Sequence, residues 1–264
     1  MSNGTVHSSK RTVGLALGSG SAKGLSIIGV LKILERERIP IDAIAGSSIG
    51  AVIGGLYATG MRVDEIETLA TAADWKLLFS LLDPHIRQGL IRGDKVKRFL
   101  DERIGGGLIE ECRLPFAAVA TDLRTGEAVV LDRGPMAAAI RASISVPLVF
   151  RPVRIGGRLL ADGGLSSPVP VETVRRMGSD TVIAVNLNHH HPGEEEDFRL
   201  PDIADRSLNI LRHHLASMDA RTADVMIAPR VAGARWHRFT RAHELIEEGE
   251  RAATAALPEL RKLV

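Results

Sequence analysis

The pentapeptide Gly46-Ser47-Ser48-Ile49-Gly50 joins an apolar, strand-like run to an apolar helical repeat. No other feature of the chain constrains its fold as tightly. Ile41-Asp42-Ala43-Ile44-Ala45 leads in, and Ile49, Val52, Ile53, Leu56 and Tyr57 follow at helical spacing. A serine on the tight turn between strand and helix is a nucleophile elbow. Its backbone is strained there, and flanking glycines let strand and helix close on each other. The helix N-terminus beneath Ser48 favours negative charge developing beside it. Residues 43–61 carry no charge and are long enough to suggest a membrane span. The glycines at 46, 50, 54, 55 and 60, with the break at Ser48, fit a buried strand and a core-packed helix better.

The same strand-then-helix unit precedes the elbow and recurs after it, which predicts a mostly parallel sheet covered on both faces. Val13 to Leu17 reads as the first strand and Leu25 to Glu37 as the first helix; Ala43 to Ala45 and Ile49 to Ala58 repeat the unit. Further strands are expected at Phe116 to Ala120, Val129 to Leu131, Thr181 to Leu187 and Val225 to Ala228, with a closing helix from about Arg241 to Lys262. Residues 62–103 are mainly helical and carry Trp75, Leu77, Leu78, Phe79, Leu81 and Leu82. Helices packed on the core is the simpler reading of that stretch; a lid over the site, or a lipid entrance, is the alternative. His189 to Arg199 is polar and acidic and reads as a surface loop. Residues 1–10 are polar and lack an apolar signal region, so a disordered tail is expected, followed by one domain over 11–264.

A net charge of +2 and 3% aromatic residues leave no nucleic-acid footprint, and one cysteine, Cys112, rules out an internal disulfide and suits a reducing cytoplasm. Arg141, Arg151, Arg154 and Arg158 read as solvated surface, with contact to anionic head groups as the alternative.

The first strand runs directly into Gly18-Ser19-Gly20-Ser21-Ala22-Lys23-Gly24. Successive backbone N–H groups in such a loop cradle an anion. A dinucleotide fits poorly, because the third glycine falls one residue late and Asp42 precedes the second strand instead of ending it. A nucleotide phosphate loop fails, since Lys23-Gly24 stands where Gly-Lys-Ser/Thr is needed. An oxyanion loop fits, because in a parallel unit this loop and the elbow lie at the carboxyl ends of neighbouring strands and face one crevice.

Serine needs a base. Among the nine histidines, His189-His190-His191 is a run of the solvated kind, and no metal site is assigned to it or to Glu194 to Asp197. His213, His214, His237 and His243 lie in helix-like contexts that single none out. Val153 to Ala161 reads as a hairpin with a Gly156-Gly157 turn, ending at Asp162-Gly163-Gly164, and Pro168 suits a helix start. Asp162 is open to two readings, a catalytic carboxylate or an ordinary Asp-Gly turn residue.

Glycine-rich loop, G-x-S-x-G elbow and D-G-G, in this order, resemble the patatin-like phospholipase family. The likeness extends through Gly24 to Leu31, Thr121-Asp122-Leu123-Arg124-Thr125-Gly126 and Arg141 to Pro147, and covers roughly Val13 to Leu187. The resemblance implies a three-layer α/β/α fold and a Ser-Asp dyad, with Ser48 as nucleophile and Asp162 as base. It places the oxyanion hole at Ser19, Gly20 and Ser21, supported by Gly18, Lys23 and Gly24, by Gly46 and Gly50, and by Gly163 and Gly164. The family's loop is glycine at the positions of Ser19 and Ser21, so side chains narrow it here. The implied activity is hydrolysis of lipid acyl esters through an acyl-serine, without cofactor, in the cytoplasm with peripheral contact to a membrane. A non-catalytic lipid-binding or regulatory protein on this fold is the alternative, and an α/β-hydrolase triad with a downstream histidine is the nearest enzymatic rival.

Overall fold

Leu15 and Leu17 face one side of the first strand and Ala16 the other, and this two-residue alternation divides the molecule into layers. A computed structural model describes residues 11–72, 93–104, 106–189, 200–231 and 242–263. The expected tail, residues 75–82 of the possible lid, His190 to Arg199, and His237 lie outside the described residues. The elements are β1 (Val13–Leu17), α1 (Leu25–Arg36), β2 (Ala43–Ser47), α2 (Ile49–Ala58), α3 (Val63–Thr71) and α4 (Asp94–Ile104). They continue as β3 (Phe116–Asp122), β4 (Ala128–Leu131), α5 (Met136–Ser143), β5 (Val153–Ile155), β6 (Arg158–Asp162) and α6 (Val171–Arg176). The last are β7 (Thr181–Val185), α7 (Leu200–Ala220), β8 (Val225–Ile227) and α8 (Ala242–Leu260).

These strands pair in the order β5-β6-β3-β2-β1-β7-β8, with β4 also on β3. The β1–β2, β1–β7, β2–β3 and β7–β8 pairs are parallel. One face, lined by Leu15, Leu17, Ile44, Phe116, Ile183 and Val185, packs with α1, α2 and α8 in the larger core. The opposite face is smaller-grained: Ala16, Ala45, Ala117, Val182 and Ala184 meet Val171 and Val174 of α6 and Ala216 of α7. Small side chains there bring α6 down on the sheet, so that a Cβ at Gly14 would lie 1.9 Å from Val174 Cγ1. The sheet is thus sandwiched between helices, as the resemblance implied.

Several boundaries shift. Helix α5 is absent from the sequence reading because Met136 to Ser143 is buried along most of its length and shows no polar face. Pro168 does not start a helix; α6 begins at Val171 behind Pro170, because Pro168 and Val169 are committed to hydrogen bonds with the glycine-rich loop and α7. Strand β7 stops at Val185, where the Asn186 side chain accepts from the Asn188 N–H and turns the chain. In the 62–103 stretch, Val63, Ile66, Ala70 and Leu100 are buried in the larger core.

Candidate active site

Ser48 leaves β2 with φ 55° and ψ −121°, a conformation that costs an L-residue on the order of 1–2 kcal/mol. Two contacts hold it there. The Ser48 N–H donates to Ser143 Oγ at 2.9 Å, and that hydroxyl donates onward to the Val119 carbonyl at 2.5 Å. In the first turn of α2, Gly50 packs against the end of β1, where an added Cβ would lie 2.2 Å from the Leu17 carbonyl oxygen. Gly46 and Gly24 serve the same close packing, the first beneath Gly50 and the second against Ile49.

Strand register brings Asp162 to Ser48. Ala118 and Val119 of β3 pair with both β2 and β4, while Ala120 and Thr121 pair with both β4 and β6. A strand has two edges, so β2 and β6 share the edge opposite β4. They approach head to head along it, β2 ending at Ser47 beside Val119 and β6 ending at Asp162 beside Ala120. The turns that follow, at Ser48 and at Gly163-Gly164, therefore meet at one point over β3. Gly163 makes the meeting possible, since a Cβ there would lie 2.1 Å from the Val119 oxygen.

The Asp162 residue is 1% exposed and Ser48 is 6% exposed. Asp162 is anchored through its backbone: its N–H donates to the Ser145 carbonyl at 3.0 Å, and its carbonyl accepts from Thr121 Oγ1 at 2.8 Å. Carboxylate Oδ1 accepts from the Gly164 N–H at 2.8 Å, whereas Oδ2 has no hydrogen-bond partner among the described residues. Burial pushes the carboxyl above the ordinary aspartate range, opposed by the Arg212 charge, the Ser48 hydroxyl and the Gly164 N–H. The Ser48 hydroxyl thus stabilises the carboxylate without closing a full hydrogen bond to Oδ2.

The glycine-rich loop is fastened at its start. Gly18 N–H donates to the Val185 carbonyl at 3.0 Å and Ser19 N–H to the Pro168 carbonyl at 2.8 Å. This corrects one expectation: the Ser19 backbone donor is committed to the fold, and what Ser19 presents to the site is its buried hydroxyl, which has no hydrogen-bond partner among the described residues. The Gly20 and Ser21 N–H groups donate to no backbone carbonyl among the described bonds. Ser21 takes φ 50°, a left-handed conformation that suits the glycine it replaces in the family pattern. Lys23 sits half-buried in the short 3-10 turn Ser21–Gly24.

Four supporting residues escaped the sequence reading: Ser143, Asn188, Arg212 and Asp219. Asn188 Nδ2 donates to the Ser19 carbonyl at 2.7 Å, and Asp219 accepts the Val169 N–H at 3.2 Å. None has a motif that announces it; only Ser143 fell inside a stretch carrying the family likeness. Arg141 is corrected from surface to interior: it donates to Ser145 Oγ at 2.7 Å and the Arg151 carbonyl at 3.1 Å, and lies 4.7 Å over the Phe150 ring. His213 directs Nδ1 to the Asn188 carbonyl, and no histidine of the described residues is among the groups acting on Asp162.

A serine elbow on a parallel sheet, met at the same strand edge by a buried carboxylate, defines an α/β protein with a serine-centred site. The chain belongs to the patatin-like phospholipase family, whose model matches residues 15–175. An uncharacterized NTE family protein of Mycobacterium tuberculosis (strain H37Rv) is 41% identical over 218 residues, 82% of this chain and 60% of that one. Lysophospholipase NTE1 of Candida albicans is 31% identical over 185 residues, covering 68% of this chain and 13% of its own. The chain thus spans about 60% of the length of the first of these relatives and 13% of the second. The crystal structure of VipD from Legionella pneumophila shares the fold at a TM-score of 0.64 and 15% identity, over 95% of this chain and 67% of that one.

Proposed function

We propose that the protein hydrolyses carboxylic esters of lipids, with Ser48 as nucleophile and Asp162 as its base. The reading rests above all on the head-to-head meeting of β2 and β6 on β3, which sets a strained serine against a buried carboxylate. Asp162 takes the hydroxyl proton as Ser48 Oγ bonds to the acyl carbon. Charge then builds on the former carbonyl oxygen, where the Gly20 and Ser21 N–H groups and the α2 N-terminus receive it, each well-placed donor contributing about 3 kcal/mol. Asp162 returns the proton to the leaving alcohol, leaving acyl-Ser48, and next takes a proton from the water that releases the acid.

An ordinary carboxylate is a feeble base for serine; burial strengthens this one. Lipid esters, lysophospholipids among them, are the substrate class supported by family membership and by the named activity of the Candida relative. No described helix is long and apolar enough to cross a membrane, so contact with a bilayer would be peripheral in this reading.

Ser48→Ala and Asp162→Asn are each expected to abolish hydrolysis of medium-chain p-nitrophenyl esters. Wild-type turnover in either variant would sink the dyad. The Ser19 and Ser21 side chains keep a second reading open, a lipid-binding protein without turnover. Failure of a fluorophosphonate to label Ser48 in folded protein would favour it.

A further inference from the structure

Gly164 marks a point on which three polar groups converge. A Cβ built there would lie 2.8 Å from Asp162 Oδ1, 2.8 Å from Ser19 Oγ and 3.1 Å from Arg212 Nε. Arg212 comes from α7, fifty residues beyond the D-G-G turn, and no motif points to it. Its Nη1 donates to Asn209 Oδ1 at 2.9 Å one turn earlier on the same helix, which aims the guanidinium. Its Nε is buried and has no hydrogen-bond partner among the described residues, and the same holds for Asp162 Oδ2. A buried carboxylate and a half-buried cation, each with one unmet buried atom, therefore converge on the same point. The carboxylate alone would be costly to keep ionised there.

We propose that Arg212 is a positioning residue that keeps the Asp162 carboxylate ionised in its buried site and thereby sets the lower pH limit of Ser48 reactivity. The inference rests on the dyad reading above. Arg212 has no role in the bond-making step; it acts through Asp162. Other charged groups on the surrounding elements are engaged elsewhere. Asp122 of β3 accepts from the Arg124 N–H and faces Arg158, Arg141 of α5 is held by Ser145 and Arg151, and His213 of α7 turns to Asn188. Lys23 of the loop is not among the groups acting on Asp162, and among the described residues Arg212 is the one ionised group that is. The carboxyl is pushed up by burial and pulled back most strongly by Arg212, so losing the cation leaves only the Ser48 hydroxyl and the Gly164 N–H to oppose burial. The proton is then held to higher pH. An opposite charge at this range moves a carboxyl by about one to three pH units.

The test is the rate at which a fluorophosphonate phosphonylates Ser48, followed from pH 4 to 9. Ser48 Oγ bonds to phosphorus, fluoride leaves, and Asp162 accepts the hydroxyl proton, so the acid limb reports Asp162 without lipid substrate or interface. Wild type, Asp162→Asn, Arg212→Met and Arg212→Lys are compared, with near-UV circular dichroism to show retained packing. Arg212→Gln replaces the methionine variant should that one fail to fold. Arg212→Met is expected to move the limb up by about one unit or more. Labelling midway down the wild-type limb would then fall several-fold to tenfold, and Arg212→Lys would restore most of it. An unmoved limb in Arg212→Met overturns the inference, as does an equal displacement in Arg212→Lys. If Asp162→Asn labels as fast as wild type, it is the dyad reading that fails.

Discussion

Replacing Ser143 by alanine probes how the elbow is held. The hydroxyl is fully buried and makes two bonds at once, accepting the Ser48 N–H at 2.9 Å and donating to the Val119 carbonyl at 2.5 Å. Alanine removes both and admits no substitute partner. A buried N–H left unmet costs about 1–3 kcal/mol. The Val119 carbonyl adds less, because an under-satisfied acceptor is tolerated better than an orphaned N–H. Together the loss is about 2–4 kcal/mol, or a melting temperature lower by roughly 5–15 °C for a chain of this size. The strain at Ser48 is also released, since φ 55° persists only while its surroundings over-determine it. Ester turnover should therefore fall by an order of magnitude or more even where the protein remains folded. Denaturant titration at constant slope, alongside p-nitrophenyl ester kinetics at a temperature where both proteins are folded, reads the two effects separately. Ser217→Ala is the control, because among the described residues that hydroxyl only back-bonds to the His213 carbonyl within α7 at 2.9 Å. If Ser143→Ala lies within about 0.5 kcal/mol of wild type and keeps its turnover, the argument from the shared hydroxyl is refuted.

Gly50→Ala would drive a Cβ into the Leu17 backbone oxygen at 2.2 Å, and no flexible side chain is there to yield. A destabilisation of about 3 kcal/mol or more is expected, seen as a collapse in soluble yield or melting temperature; a variant as stable as wild type would show that α2 can slide. Asp219 supplies a pH test. Burial lifts its carboxyl to about 6, with the Val169 N–H opposing. A folded pKa above the unfolded one means the native state binds the extra proton, so this contribution is fully present at low pH and lost as pH rises from about 4 through 6. Asp219→Asn should therefore gain stability relative to wild type on going from pH 4.5 to 7.5 in denaturant melts. A difference that does not change with pH would refute it.

Much of the fold could be read directly because the information was local. Apolar runs of strand length alternating with helical periodicity marked β1, α1, β2 and α2, and positive φ at Gly156 and Gly157 fits the turn expected for the hairpin. The helices that were missed or misplaced had no local signature: α5 has scarcely any polar face, and α6 waits for Val171 because Ser19 and Asp219 claim the backbone before it. Arg141 reads as surface by residue type, and only Phe150, Ser145 and Arg151 make it an interior residue.

The sequence alone determined the elbow, the loop and the D-G-G turn, because each is a short backbone conformation dictated by glycine and its neighbours. Tertiary structure decided how they act on one another. That β2 and β6 share an edge of β3 is a matter of register across residues far apart in the chain, and it sets Asp162 against Ser48. The commitment of the Ser19 N–H to Pro168, and the arrival of Arg212 from α7, follow from packing alone. Charge and burial at Asp162 are sums over those distant neighbours, and a one-dimensional pattern does not contain them.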